Sequence, residues 1–186
     1  MAMSRKDRSR AAILAAAPPL LITHGSAAIT MERIAREAGV APRTLFNHFP
    51  TRGELMAAVA HERAIAVAEF IDSTRVRKPS ALMRALADRM VDAGYTQGQH
   101  YFEFLAEITR NSATADTVRS GVIGQALQRF AQRSLPPGPH ADVVADLLGG
   151  AMVVAVSNLA AERTFDVIES LLAQGTALDV LVTHLR

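Results

Sequence analysis

Apolar residues recur at helical spacing along almost the whole chain, and no stretch shows the sustained apolar and polar alternation of a half-buried strand. Such a chain can bury its apolar side chains by packing helices together, whereas a sheet with one buried face requires the alternating pattern. The composition agrees, because only 5% of the 186 residues are aromatic and tryptophan is absent. The sequence therefore predicts an all-α fold.

Helix start and stop signals predict a first helix over about residues 8–24, ending at Gly25. Pro18 and Pro19 conflict with this helix, because an interior proline removes a hydrogen bond and clashes with the preceding turn. We expect the helix either to kink there or to start again at Pro18.

Capping signals predict two short helices next. Thr30 is a favourable N-cap residue for the first of them, and Gly39 closes it. Pro42 suits the first position of the second, since its missing N–H costs nothing there. Thr51 and Glu54 then form a capping box for a long helix. This long helix is predicted over residues 51–73. Further helices are predicted over residues 80–94, 99–111, 114–134, 140–161, 164–174 and 176–185.

The formal net charge of +2 hides an asymmetry along the chain. Residues 1–52 carry eight Lys and Arg against three Asp and Glu, a net charge of +5, whereas residues 53–186 carry twelve against fifteen. The basic N-terminal part is therefore where a polyanion would bind. The chain has no cysteine, which excludes a disulfide framework, a cysteine-ligated zinc site and a thiol nucleophile.

The two short helices, preceded by a basic helix, form the pattern of a helix-turn-helix. Four apolar residues fall where the two helices must pack together: Ile34, Ala35, Val40 and Leu45. Five polar residues are left pointing outward: Arg33, Arg43, Thr44, Asn47 and His48. The outward set is rich in groups that bond phosphates and base edges.

Residues 30–55 resemble the DNA-binding signature of TetR-type transcriptional regulators. The matching positions are Gly39-Val40, Thr44-Leu45, His48-Phe49-Pro50 and Glu54-Leu55. With the first helix, the resemblance covers about the first 60 residues. It implies a three-helix DNA-binding domain over residues 1–50, followed over 51–186 by a helical effector-binding and dimerisation domain. The implied protein is a homodimer that binds a palindromic operator, acts as a repressor in the cytoplasm, and is released by a small apolar or aromatic effector.

Carried over residue by residue, the resemblance assigns roles in DNA binding. Arg43, Thr44 and Asn47 are expected to meet base edges, Arg reading guanine and Asn reading adenine through bidentate hydrogen bonds. A second set is expected to bind phosphates: Thr30, His48 and Arg52. The basic segment 4–10 is expected to be a flexible tail that either follows a DNA groove or only aids solubility.

Three departures from the family pattern bear on these expectations. Pro18 and Pro19 stand where a core leucine and a polar residue are usual. Ala41 replaces the usual serine N-cap of the recognition helix, which weakens that helix by about 1 kcal/mol. Phe46 replaces a common tyrosine, so a hydroxyl that reaches phosphate is missing and Phe46 is expected to contribute only packing.

The effector and dimer surfaces are expected in the C-terminal part, where apolar residues cluster. Methionine and aromatic side chains can line an adaptable cavity, although ordinary core packing is the better explanation for any single one of them, and only the resemblance makes them candidates for an effector site. The candidate ligand-binding residues are Met83, Leu86, Met90, Tyr101, Phe102, Phe104 and Val122. Two apolar helix faces predict a four-helix dimer interface, the alternative being that they close a monomer core. The candidate dimer residues are Val144, Leu148, Ala151, Ala155, Leu159, Phe165, Ile168 and Leu172.

Two other functional classes remain open. A DNA-binding architectural protein, or a helical interaction module, would sense no small molecule. An enzyme has no positive support, because His61-Glu62 lacks the second histidine of a zinc protease motif and no glycine-rich phosphate loop is present. Three residues that share a predicted helical face are more typical of solvated groups than of a metal site: His100, Glu103 and Glu107. We therefore expect no cofactor and no metal.

The N-terminus also has features of a secretory signal, with basic residues before an apolar stretch. Pro18 and Pro19 interrupt that stretch, and cleavage after it would remove a helix that the helix-turn-helix needs for packing. The longest other apolar run, residues 147–156, is about half a membrane span and is expected to be a buried helix.

Overall fold

The computed structural model describes residues 3–25, 28–90, 121–135, 140–159, 175–180 and 182–183. Over these ranges all regular secondary structure is helical, which confirms the all-α prediction. None of the helices within them is long and apolar enough to cross a membrane. The helices are α1 (Arg5–His24), α2 (Met31–Glu37), α3 (Pro42–His48), α4 (Arg52–Ser73), α5 (Pro79–Met90), α6 (Val122–Ser134) and α7 (His140–Leu159), followed by helical residues 175–180.

The first helix is longer than predicted and does not start again at Pro18. It begins at Arg5 because the Ser4 hydroxyl oxygen accepts a hydrogen bond from the Asp7 N–H at 3.1 Å. It ends at Gly25, whose φ of 76° lies in the left-handed region that favours glycine. The expectation of a flexible tail over residues 4–10 is therefore wrong, since residues 5–10 form the first turns of α1.

The predicted caps of the next helices are confirmed. Thr30 accepts a hydrogen bond from the Arg33 N–H at 3.2 Å, and Thr51 accepts one from the Glu54 N–H at 3.1 Å. Gly39 has a φ of 65°, as required for the tight turn after α2. Ala41 makes no side-chain cap for α3, in keeping with its replacement of serine.

Two apolar cores are built on α1 to α7, and both α4 and α1 contribute to each of them. The N-terminal core joins α1, α2, α3 and the start of α4 through Ile13, Ala17, Leu20, Leu21, Ile29, Met31, Ile34, Ala35, Leu45, Phe49, Leu55 and Val59. The C-terminal core joins the ends of α4 and α1 to α5, α6, α7 and the C-terminal helical residues through Ile22, Ala68, Ile71, Leu82, Met83, Leu86, Leu127, Phe130, Val144, Leu148, Leu178 and Val182. The two cores are therefore connected through α4 and through the end of α1.

The C-terminal helical residues close the C-terminal core by capping α5. The Asp179 carboxylate accepts hydrogen bonds from the Ser80 N–H at 3.0 Å and from the Ser80 hydroxyl at 2.5 Å. Gly175 lies against the same turn, and a Cβ atom there would stand 2.8 Å from Ser80 Cα and 3.2 Å from Met83 Cβ. The absence of a side chain at Gly175 is what permits this close approach.

Gly175→Ala is therefore expected to destabilise the protein by about 1–3 kcal/mol, because the added methyl group meets backbone that cannot move aside without disturbing the Asp179 cap. Urea unfolding followed by circular dichroism measures this free energy. Gly53→Ala is the matched control, since the nearest contact of a Cβ atom there, among the described residues outside its own helix backbone, is the Thr51 hydroxyl at 3.8 Å. Equal stability of the Gly175→Ala variant and the native chain would contradict the assigned packing.

A cluster of three charged residues, Asp72, Arg129 and Arg133, connects the end of α4 to α6. The Arg129 guanidinium donates to both carboxylate oxygens of Asp72, from Nε at 2.9 Å and from a terminal nitrogen at 2.5 Å. Arg133 lies 3.6 Å from the same carboxylate and donates to the Ile71 carbonyl oxygen at 3.0 Å. The hydrogen bond from Arg129 is the main reason that the pKa of Asp72 lies below its ordinary value.

This lowered pKa predicts how the stability depends on pH. At neutral pH the ionised carboxylate makes its full contribution to the free energy of unfolding. The contribution decreases once the pH falls below the pKa of an aspartate in the unfolded chain, about 4, and is lost as the pH passes through the lower pKa of the folded state. Asp72→Asn is expected to lower the unfolding free energy at pH 7 by less than about 1 kcal/mol, because the group is partly exposed, and to have little effect near pH 2. Thermal unfolding at both pH values tests this, with Glu69→Gln on α4 as the control. A difference that stays constant with pH would contradict the assignment.

Candidate nucleic-acid interface

The third helix is held in place by its inward side. Leu45 is completely buried in the N-terminal core. Ile34 and Ala35 of α2 are completely buried in the same core. The Val40 N–H donates to the Ala35 carbonyl oxygen at 2.9 Å, and the Phe49 N–H donates to the Leu45 carbonyl oxygen at 2.9 Å. These contacts fix both ends of the seven-residue helix, so its outward face has a defined orientation.

The outward face of α3 carries three exposed side chains, Arg43, Phe46 and Asn47. Positions three and four apart share one face of a helix, so the three lie next to one another. Thr44 and His48 are half-buried at the edges of this face. The arrangement offers a guanidinium and a carboxamide, which are the two side-chain groups best suited to bidentate contact with purine edges.

The predicted phosphate-binding residues lie around this face and also have structural contacts. The Thr30 hydroxyl oxygen caps α2, and the His48 ring lies beside the Phe49 ring with centroids 6.3 Å apart. The Arg52 guanidinium donates to the Ile29 carbonyl oxygen at 2.5 Å. Arg52 thus ties the connection before α2 to the first turn of α4, which the sequence signature did not reveal.

Two further contacts attach α1 to this unit, and sequence reasoning missed both. The Arg33 guanidinium donates to His24 Nε2 at 2.7 Å, which links α2 to the end of α1 at the protein surface. The Arg10 guanidinium lies 5.4 Å from the centre of the Phe49 ring and 3.9 Å from the Glu62 carboxylate. Side-chain contacts over such separations leave no signal in helical periodicity.

The predicted ligand residues fall partly in the C-terminal core. Met83 is completely buried and Leu86 is 5% exposed, while Val122 is half-buried and packs against the same core. The side chain of Met90 and the residues Tyr101, Phe102 and Phe104 lie outside the described part of the chain, as do His100, Glu103 and Glu107. Among the residues that are described, no group of three His, Asp or Glu residues could hold a metal ion.

The predicted dimer residues on α7 are buried within the chain itself. Val144 and Leu148 are completely buried and Ala151 is 6% exposed, because this face of α7 packs in the C-terminal core. The adjoining face, roughly a quarter turn around the helix, carries Val143 and Leu147, which are 52% and 46% exposed. The side chains of Ala155 and Leu159 and the residues Phe165, Ile168 and Leu172 lie outside the described ranges.

Comparison with known proteins agrees with this geometry. Residues 13–59 match the family described as bacterial regulatory proteins, tetR family. This range includes α2, α3, most of α1 and the first turns of α4. No curated protein sequence matches the chain.

Solved structures of similar fold cover nearly the whole chain. A TetR-family transcriptional regulator from Pectobacterium atrosepticum has a TM-score of 0.71 at 19% identity, over 98% of this chain and 97% of that one. A TetR transcriptional regulator from Rhodococcus sp. RHA1 has a TM-score of 0.68 at 16% identity, over 98% and 100%. RolR in complex with resorcinol has a TM-score of 0.66 at 16% identity, over 96% and 89%.

The matched family consists of bacterial regulatory proteins. This match and the exposed guanidinium and carboxamide groups on α3 together identify the N-terminal unit. Residues 13–59 are therefore a TetR-type helix-turn-helix DNA-binding domain, and the chain as a whole has the fold of TetR-family transcriptional regulators.

Proposed function

We propose that the chain is a homodimeric repressor that binds a palindromic operator in the cytoplasm and releases it when a small apolar or aromatic effector binds. The observation that carries this proposal is the outward face of α3, where exposed Arg43 and Asn47 stand on a helix fixed at both ends. Residues 1–50 form the DNA-binding unit and residues 51–186 form the effector-binding and dimerisation unit. Since α4 contributes to both cores, it joins the two activities.

In the proposed complex α3 enters the major groove. Arg43 reads a guanine and Asn47 an adenine by paired hydrogen bonds, and Thr44 contacts a neighbouring base edge. Thr30, His48 and Arg52 lie against the phosphate backbone. Arg52 has a second task there, because its bond to the Ile29 carbonyl oxygen holds the start of α4 beside the start of α2.

The proposed dimer uses the exposed face of α7. Val143 and Leu147 are large apolar side chains left half exposed, and the exposed Gly150 lies one turn further along the same face. Outside the backbone of α7 itself, no atom of the described residues lies within 4 Å of where a Gly150 Cβ would stand, so a partner helix can approach closely at this point. The other residues that we propose for this four-helix interface are Phe165, Ile168 and Leu172. A two-fold dimer sets the recognition helices about one turn of DNA, roughly 34 Å, apart, or somewhat more, and so requires a palindrome.

The proposed effector site lies beside α5 and α6. RolR, which has a similar fold, has been crystallised with resorcinol, a small aromatic diol, and this supports an aromatic effector here. Met83, Leu86 and Val122 line the inner side of the site, with Met90, Tyr101, Phe102 and Phe104 as the other candidates. A ligand that prefers the conformation with wrongly spaced recognition helices lowers the DNA affinity by its difference in binding free energy between the two conformations.

Release of a fluorescent operator duplex in the presence of resorcinol and related small phenols tests the effector proposal. We expect at least one phenol to release the duplex and to raise the thermal unfolding midpoint of the DNA-free protein. Met83→Ala is expected to change the concentration required, whereas Val180→Ala, on an exposed side chain of the C-terminal helical residues, leaves it unchanged. Undisturbed DNA binding with every phenol would favour a DNA-binding protein without small-molecule sensing.

A further inference from the structure

Phe46 is an exposed phenylalanine on the recognition helix. Its exposed fraction is 40%, whereas Leu45, the adjacent apolar residue, is completely buried. The expectation that Phe46 contributes only packing is therefore not met within the chain, because Leu45 alone anchors the inward side of α3. A single exposed apolar side chain is common on protein surfaces, so a role for Phe46 depends on the residues around it.

The neighbours of Phe46 indicate which molecule this is. Arg43 and Asn47 lie three residues before and one residue after it, on the same outward face. Residues 1–52 carry a net excess of five positive charges, with eight Lys and Arg against three Asp and Glu. The face is therefore suited to a polyanion, and an apolar ring beside Arg43 on this face is suited to an apolar group on that polyanion.

The chemistry of the major groove indicates which group of the DNA the Phe46 ring would contact. A phenyl ring neither donates nor accepts a conventional hydrogen bond, so it cannot bind phosphate oxygens or the polar edges of bases. The apolar group exposed in the major groove is the C5-methyl group of thymine. We propose that Phe46 is a specificity-determining residue that recognises a thymine methyl group in each operator half-site, next to the bases read by Arg43 and Asn47.

This inference rests on the proposed function, since it requires α3 to lie in the major groove of a specific operator. It adds a thymine to the bases that the protein recognises in each half-site, and this thymine is recognised by an apolar contact and not by a hydrogen bond. Burial of one methyl group against the ring corresponds to about a fourfold gain in affinity per half-site, and the two half-sites together to roughly fifteenfold.

Replacing thymine by deoxyuridine tests the contact, because the two bases differ only by the methyl group. The operator is first selected from random duplexes with the native protein. Each thymine is then replaced in both half-sites, and the affinities of the native chain and of Phe46→Ala, Phe46→Leu and Val180→Ala are measured by fluorescence anisotropy. Because Phe46 is exposed, we expect the circular dichroism spectra and melting temperatures of its variants to match those of the native protein.

We expect one thymine position at which deoxyuridine weakens the native protein by roughly fifteenfold. The same replacement should have little effect on Phe46→Ala, an intermediate effect on Phe46→Leu, and the full effect on Val180→Ala. A palindrome that binds equally well with deoxyuridine at every position would overturn this inference and leave the proposed function intact. A methyl effect that persists in Phe46→Ala would overturn it too. Failure to select any sequence would overturn both.

Discussion

Leu147→Glu is expected to leave the chain folded but monomeric, and to weaken operator binding by a factor of 10² or more. The side chain is 46% exposed on the outer face of α7, so glutamate is tolerated in the isolated chain. In the proposed dimer the two-fold axis brings this position close to its counterpart, and two carboxylates there would be buried without partners. A monomer holds only one half-site, so the gain from linking two recognition helices is lost.

Analytical ultracentrifugation and fluorescence anisotropy measure the two effects on the same samples. Leu147→Met is the matched control, because it keeps a side chain of similar volume and apolar character and should stay dimeric with full DNA affinity. If Leu147→Glu remained a dimer and bound its operator normally, the exposed face of α7 would not be the interface. Loss of the folded circular dichroism spectrum would instead show that the position is part of the core.

Asn47→Ala is expected to lower specific binding by about tenfold to a hundredfold per half-site while leaving non-specific binding nearly unchanged. The carboxamide is exposed on the outward face of α3, so its removal does not disturb the N-terminal core. In the proposed complex its loss removes two hydrogen bonds to one base but no positive charge. Non-specific binding depends mainly on charge and should therefore persist.

The ratio of affinities for the operator and for a scrambled duplex measures this effect directly. Arg36→Ala is the control for charge, because it removes an exposed cation from α2 and should weaken binding to both duplexes about equally. Should Asn47→Ala lose equal affinity for the two duplexes, Asn47 would contact the backbone and not a base.

The helix-turn-helix could be predicted from the sequence because local interactions determine it. Thr30, Gly39 and Thr51 each act on residues within one turn, through a capping hydroxyl or a positive φ. The outward face of α3 follows from helical periodicity once Leu45 is taken as its inward anchor. The start of α1 was missed although the Ser4 and Asp7 pair carries the same local capping signal.

The packing of the C-terminal part depends on contacts that local patterns do not contain. The stripe of Val144, Leu148 and Ala151 on α7 was visible in the sequence, but its partner was not, and the structure covers it from within the chain. Asp179 caps Ser80 across 99 residues, and Arg129 binds Asp72 across 57. Periodicity shows that a helix face is apolar, whereas only the tertiary arrangement decides whether another helix or another subunit covers it.

The two prolines in α1 show how tertiary packing overrides a local preference. Each interior proline disfavours the helix by about 3 kcal/mol in isolation. Around them, Ile13, Ala17 and Leu21 are completely buried in the N-terminal core. Burial of a side chain as large as isoleucine or leucine contributes about 1.5–3 kcal/mol. These contributions offset the cost of the prolines, and α1 remains continuous to His24.

Selection of bound duplexes from a random DNA pool, repeated at two salt concentrations, tests the central claim most directly. The account predicts a palindromic consensus with half-sites about one helical turn apart or somewhat more, and enrichment that persists at the higher salt concentration. No enrichment, or binding that disappears with added salt, would mean that the basic N-terminal part holds only phosphates, and would contradict a sequence-specific regulator.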